Sequence, residues 1–257
     1  MNRMILPENT EKIDLARLVP MDLYAGDFPV RVQLDYATPH SLCGLIYREQ
    51  ARLWLYDDLA AIVLRAAQLC HARTGLHFIL YDGLRTMEAQ GLMQQSPAVQ
   101  AHPEWLEGPN RVLSPPGLGG HPRAMAIDIG LEDADGALVD MGTLFDEMPM
   151  GGSGPDTNRA HRLYPGLPEA VRHNRSILEA AMVEAAAQLG LSLLPLPVEW
   201  WDFRFPADVY NRYAPLSDAD LPVQMRMTDC SAPVSIPDFD DAHFEKQKDR
   251  VLARVVL

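Results

Sequence analysis

Cysteine is scarce: Cys43, Cys70 and Cys230 are the three in 257 residues. So small and odd a number excludes a disulfide scaffold and points to free thiols in a reducing compartment. No stretch approaches the ~18 consecutive apolar residues that a membrane-spanning helix needs. No block of Lys or Arg interrupts a net charge of −13. Nucleic-acid backbones demand clustered cations, so nucleic acid is excluded as a partner, and the acidic surface serves solubility. Residues 1–9 lack the apolar run and cleavage site of a secretory leader. The expectation is a cytoplasmic protein without a membrane partner; homo-oligomerisation stays open. No internal repeat or composition break demands a second folding unit.

An apolar content of 47% is enough for a substantial core. Residues 1–24 read as a poorly specified lead-in. In residues 30–36, Val30, Val32, Leu34 and Tyr36 alternate with Arg31, Gln33 and Asp35, which predicts a half-buried strand ending at Tyr36. Residues 48–73 carry apolar side chains at three- and four-residue steps, a helical pattern that Gly75 stops. Residues 76–81 read as a buried strand broken by Asp82-Gly83, and a second helix begins in 84–93. Residues 174–189 form a helix with Asn174 as its cap. Residues 198–205 suit a strand, and 237–256 a charged helical tail.

Between these elements, residues 94–120 are polar and rich in Pro and Gly, a long connection of the kind that carries function. It runs into Gly119-Gly120-His121-Pro122-Arg123-Ala124-Met125-Ala126-Ile127-Asp128. From Ala124 onward this is a buried strand, with Ala124, Ala126 and Asp128 on one face. A carboxylate on so apolar a strand needs a partner or a metal. His121 and Asp128 are candidate ligands; Arg85 or Arg123 could pair with Asp128 instead. A second acidic strand, Val198-Glu199-Trp200-Trp201-Asp202, also stands out. Asp202 there is either a ligand or an ion-pair partner of Arg204. Trp200 and Trp201 read as core or pocket wall. His161 and His173 lie in polar surroundings and read as surface residues or replacement ligands.

Four segments in this order resemble the D-alanyl-D-alanine dipeptidases, a family of zinc metallopeptidases: Tyr36-Ala37-Thr38, Asp82-Gly83-Leu84-Arg85, His121 to Asp128, and Glu199-Trp200-Trp201-Asp202. Asp140-Met141-Gly142-Thr143-Leu144-Phe145-Asp146 adds a fifth, and together they cover roughly residues 25–212. The resemblance implies an α+β fold, a small and largely antiparallel sheet bearing a metal site and flanked by helices. It implies one metallopeptidase-like domain over 25–212, with 213–257 an extension of unassigned role packed on it. It also implies roles: His121 and Asp128 as zinc ligands, Glu199 as the general base, and Arg85 as the cation that stabilises the oxyanion. Tyr36 and Asp146 would meet the free ammonium of a dipeptide.

The sequence departs from the family pattern at three places. Gly119 and Ala124 stand where the family has Ser and Gly, and Asp202 stands where it has the third ligand, His. As a metal ligand, Asp202 would leave His and two carboxylates around the ion, cancelling its charge and shifting preference from Zn²⁺ toward Mn²⁺ or Fe²⁺. The implied activity is hydrolysis of D-Ala-D-Ala or a similar short D-amino-acid peptide, in peptidoglycan turnover or D-alanine salvage. Two rivals stand beside it: a muropeptide carboxypeptidase, and a homologue that binds a metal or ligand without catalysis.

Overall fold

The fold was described from a computed structural model, which covers residues 10–107, 111–234 and 236–255. The first nine residues of the lead-in, residues 108–110 of the long 94–120 connection, residue 235 and the last two residues, including the end of the expected tail helix, lie outside the described residues.

The strands are β1 (Leu18–Pro20), β2 (Val30–Val32), β3 (Trp54–Tyr56), β4 (His77–Asp82), β5 (Ala126–Glu132), β6 (Leu194–Pro195) and β7 (Asp202–Arg204). The helices are α1 (Asp57–Thr74), α2 (Met87–Gln95), α3 (Pro97–Gln100), α4 (Glu169–Gln188), α5 (Ala207–Tyr210) and α6 (Asp241–Val255). Five strands form one sheet in the order β2-β4-β5-β7-β6; β2 joins β4 in parallel, and the other three pairings are antiparallel. Strands β1 and β3 make a separate antiparallel pair. The mixed fold, with a small, largely antiparallel sheet flanked by helices, is the expected one.

Every residue of β5 is buried, and β4 is buried beyond its first residue, which is why both read as continuous apolar runs rather than alternating ones. Helix α1 is the central helix and packs against α4 and α6. Its apolar spacing fixes the buried face, Asp57 and Asp58 complement the positive end of the dipole in its first turn, and Gly75 ends it in the left-handed conformation at φ 75°.

Several sequence expectations need correction. The helical pattern of 48–73 is helix only from Asp57; Trp54–Tyr56 form β3, because their backbone pairs with β1. The strand over 30–36 stops at Val32, and Tyr36 sits in a 3-10 turn, buried. Ala124 precedes β5 in the left-handed region at φ 55°, closing the 3-10 turn His121–Arg123. The strand over 198–205 shrinks to Asp202–Arg204. Helix α4 starts five residues before Asn174, whose side chain donates to the Asp140 carbonyl instead of capping the helix.

Residues 18–21 and helix α6, near the two ends of the described residues, are built into the core. Leu18, Val19 and Met21 are fully buried, and the Gln247 side chain of α6 donates to the carbonyls of Ala16 and Leu18 at 3.1 and 2.8 Å. Segment 213–228 braces the loops that carry the site. Leu216 donates to Pro122 O at 2.7 Å and accepts from Met87 N at 3.0 Å. The buried Asp218 carboxylate accepts from Met227 N (2.7 Å), Thr228 N (3.1 Å), Thr228 Oγ1 (2.5 Å) and Thr86 Oγ1 (3.1 Å). Thr86 in turn caps α2, directly after Arg85.

Candidate metal centre and active site

Cross-strand register builds the site. Asp82 at the end of β4 stands opposite Asp128 on β5, and Asp128 stands opposite Asp202 at the start of β7. Residues directly opposite in antiparallel pairs share a face, so three buried carboxylates form one row across three strands. Three like charges in a row require compensation, and two arginines bracket them. At one end Arg85 donates to Asp82 Oδ2 through Nε (2.8 Å) and Nη2 (2.6 Å), and reaches Asp128 Oδ2 at 3.4 Å. At the other end Arg204 donates through Nε (2.8 Å) and Nη2 to the two oxygens of Asp202.

The turn His121–Arg123 lays an imidazole against this row. Gly120 permits the approach, since a Cβ there would lie 2.8 Å from Met125 O and 2.9 Å from the Ala126 methyl. His121 Nδ1 donates to Gly83 O at 2.8 Å, which leaves Nε2 facing Asp202 Oδ2 at 3.3 Å and Asp128 Oδ1 at 3.5 Å. Burial opposes a charge on His121, but the Asp128 carboxylate outweighs it and lifts the imidazole to about 10. The potential that retains a proton there also favours a divalent cation. Asp128 Oδ1 is fully buried and has no hydrogen-bond partner among the described residues. An orphaned buried carboxylate oxygen beside an imidazole nitrogen is chemically suited to a metal.

Donor atoms of Asp82, His121 and Asp128 lie within 4.8 Å of one another, a cluster able to hold a divalent ion. Asp82 is the residue that sequence reasoning missed. It appeared as the first half of an Asp-Gly turn, although an acid closing an apolar strand is the same signal that marked Asp128. Its oxygens are already engaged, by Arg85 and by Tyr47 Oη at 2.6 Å, and it approaches His121 on the Nδ1 side at 3.6 Å. Asp202 is ion-paired to Arg204, the second of its two expected roles, and also adjoins His121 Nε2. Burial pushes its pKa up, but Arg204 more than offsets this and holds Asp202 well below the usual carboxylate range. That pairing sets a positive charge beside the second carboxylate, which the charge argument from sequence did not count.

The remaining candidates converge on one cavity of about 170 Å³, lined among others by Tyr36, Arg85, His121, Asp128, Asp146, Glu199, Trp201, Asp202 and Arg204. The Glu199 carboxylate has no partner among the described residues, and burial, followed by Asp202 and Asp128, raises it to about 8. Asp146 is buried, sits at φ 60° and accepts from Tyr36 Oη at 3.0 Å. Burial raises it to about 7. The strained backbone at Asp146 is held by its neighbour: Phe145 stacks on Tyr81 at 4.4 Å and meets Trp201 edge-on at 5.5 Å. Trp201 lines the cavity, and Trp200 is buried behind it and donates to Thr143 Oγ1 at 2.8 Å. His161 is buried rather than on the surface and accepts from Leu163 N; it does not line the cavity.

A cluster able to hold a metal, beside a cavity that also holds an unpaired acid and a cation, is the equipment of a metallopeptidase. The model of the D-Ala-D-Ala dipeptidase family matches residues 15–218, and the chain belongs to that family. It is similar to the D-alanyl-D-alanine dipeptidase of Escherichia coli (strain K12), at 29% identity over 201 residues that cover 78% of this chain and 88% of that protein.

Proposed function

We propose that the protein hydrolyses D-Ala-D-Ala or a closely similar short D-amino-acid dipeptide. The observation that carries the reading is the single small cavity in which Glu199, Arg85, Tyr36 and Asp146 surround His121, Asp128 and Asp202. At about 170 Å³ it is smaller than the roughly 300–1,000 Å³ of ordinary ligand pockets. A dipeptide suits it better than a muropeptide strand, and this favours the dipeptidase over the carboxypeptidase reading.

His121 Nε2, Asp128 Oδ1 and Asp202 would hold the ion, with Asp82 on the far side of the imidazole supporting its orientation. A divalent ion supplies Lewis-acid polarisation and charge stabilisation when bound. With Arg204 offsetting Asp202, the donor set carries the net charge of two His and one Asp, which restores zinc as the preferred metal over Mn²⁺ or Fe²⁺. Glu199, raised toward neutrality, takes the proton of the attacking water and returns it to the departing amine. Arg85, fixed by Asp82, stabilises the negative charge that develops on the carbonyl oxygen. Tyr36 and Asp146 receive the substrate ammonium, and a longer chain at that end would have to displace Phe145 from its stack.

The test is D-alanine release from D-Ala-D-Ala by zinc-loaded protein across roughly pH 6–10. Release is expected, and Glu199→Gln should lower it by about 10²- to 10⁴-fold. Tight zinc binding with no release at any pH in that range would instead identify a non-catalytic binding protein.

A further inference from the structure

Arg204 does more than its pairing with Asp202 requires. Nε and Nη2 are committed to that carboxylate, whereas Nη1 has no partner among the described residues and borders the cavity. Gly119 opens the space in front of it. A Cβ built on Gly119, which sits at φ +89°, would lie 3.7 Å from Arg204 Nη1 and 4.0 Å from Ser114 Oγ. The absent side chain therefore leaves a gap flanked by two hydrogen-bond donors, a guanidinium NH₂ and a hydroxyl. Arg111 also borders this cavity and adds positive potential.

The gap lies on a defined side of the site. Tyr36 follows β2 and packs over Arg85 next to β4, with the Arg85 guanidinium 5.1 Å from its ring centre. Arg204 lies on β7, with β5 between β7 and β4. The acidic end of the cavity, Asp146 with Tyr36, is thus separated from Arg204 by the row that carries His121 and Asp128. Strands β4 and β7 are about 10 Å apart. An extended two-residue chain of about 7 Å covers that distance with a hydrogen bond at one end.

We propose that Arg204 Nη1 and Ser114 Oγ form the receiving site for the C-terminal carboxylate of the peptide, which makes Arg204 a specificity-determining residue. The assignment rests on the dipeptidase reading. Asp202 is what makes it work: by engaging one edge of the planar guanidinium, it fixes the other edge toward the substrate and removes the ordering cost. One Asp–Arg pair then serves both the ion, through Asp202, and the substrate, through Arg204. A free acid is admitted and held, and a blocked C-terminus is not.

The test compares calorimetric binding of D-Ala-D-Ala and of its C-terminal amide to the full chain. It is run zinc-free, and zinc-loaded in a Glu199→Gln background that slows turnover. The wild-type chain should bind the acid at least about tenfold more tightly than the amide, as expected for a hydrogen bond to a charged group. Arg204→Gln should reduce that preference to within about twofold. Ser114→Ala, which leaves the Asp202 pair intact, should reduce it about threefold. Equal binding of acid and amide by the wild type, or an undiminished preference in either variant, overturns the proposal. D-alanine release is followed in parallel with wild-type zinc-loaded protein. No release with the preference intact refutes the hydrolase reading and leaves the carboxylate site standing.

Discussion

Replacing Asp202 by His would restore the family's third ligand on paper, yet the structure predicts that this single change damages the protein. Asp202 is 1% exposed and the Arg204 side chain 17% exposed, so the substitution strands a largely buried guanidinium without its counter-ion. Removing one member of a buried pair costs about 3–5 kcal/mol. The opening of Arg204 to the cavity puts the expected loss near the lower bound, about 3 kcal/mol, or roughly 6–12 °C in Tm for a chain of this length. Arg204→Met should cost a similar amount, because it leaves the buried Asp202 beside Asp128 without its own arginine. The double variant, Asp202→His with Arg204→Met, has no stranded charge and should be more stable than either single variant. Urea unfolding of the four proteins in chelator closes the cycle, with a coupling of at least about 2 kcal/mol expected. Costs that add to within about 0.5 kcal/mol would show that the two side chains do not act as a unit and would refute the reasoning. Zinc affinity measured on the same proteins should improve in the double variant and not in Asp202→His alone.

Asp218→Ala should destabilise by about 3 kcal/mol in urea unfolding, since four donors, two of them backbone N–H groups, lose a buried carboxylate; a loss below about 1 kcal/mol would mean that segment 213–228 does not brace α2. Glu199 gives a pH signature in metal-free protein. Its folded value of about 8 exceeds its unfolded value of 4.5, so its contribution is fully present below pH 4.5 and is lost as pH rises toward 8. Stability measured from pH 4.5 to 8 should therefore fall more steeply in the wild type than in Glu199→Gln, and identical slopes would contradict the raised value. Zinc at 100 times its dissociation constant should stabilise the protein by about 2.7 kcal/mol in thermal unfolding. His121→Ala should abolish that increment, and an increment that survives would move the ion away from His121.

Local pattern in the sequence was enough to find the parts that depend on neighbours close in the chain. The three- and four-residue spacing of α1, its stop at Gly75 and the acidic interruptions of apolar strands all report burial directly, because an ionised side chain in such a run must be compensated. Order along the chain then placed Tyr36, Arg85, His121, Asp128, Asp146, Glu199 and Asp202 in one family pattern, and they do line one cavity. What depends on strand register was not legible. Asp82 looks like a turn residue until β4 and β5 pair and set it level with Asp128. The lead-in and the extension after residue 212 look unspecified because their partners, β3 for the one and Pro122 and Met87 for the other, lie tens of residues away. His161 looks exposed because its polar neighbours in sequence are not its neighbours in space. Above all, the sequence posed Asp202 as either ligand or ion-pair partner. Two residues further along the same strand face, Arg204 takes both oxygens of Asp202, while His121, delivered by a turn some eighty residues earlier, approaches from the other side. Side-chain type and spacing decide which groups can carry charge into the core; only the tertiary packing decides which opposite charge meets them there.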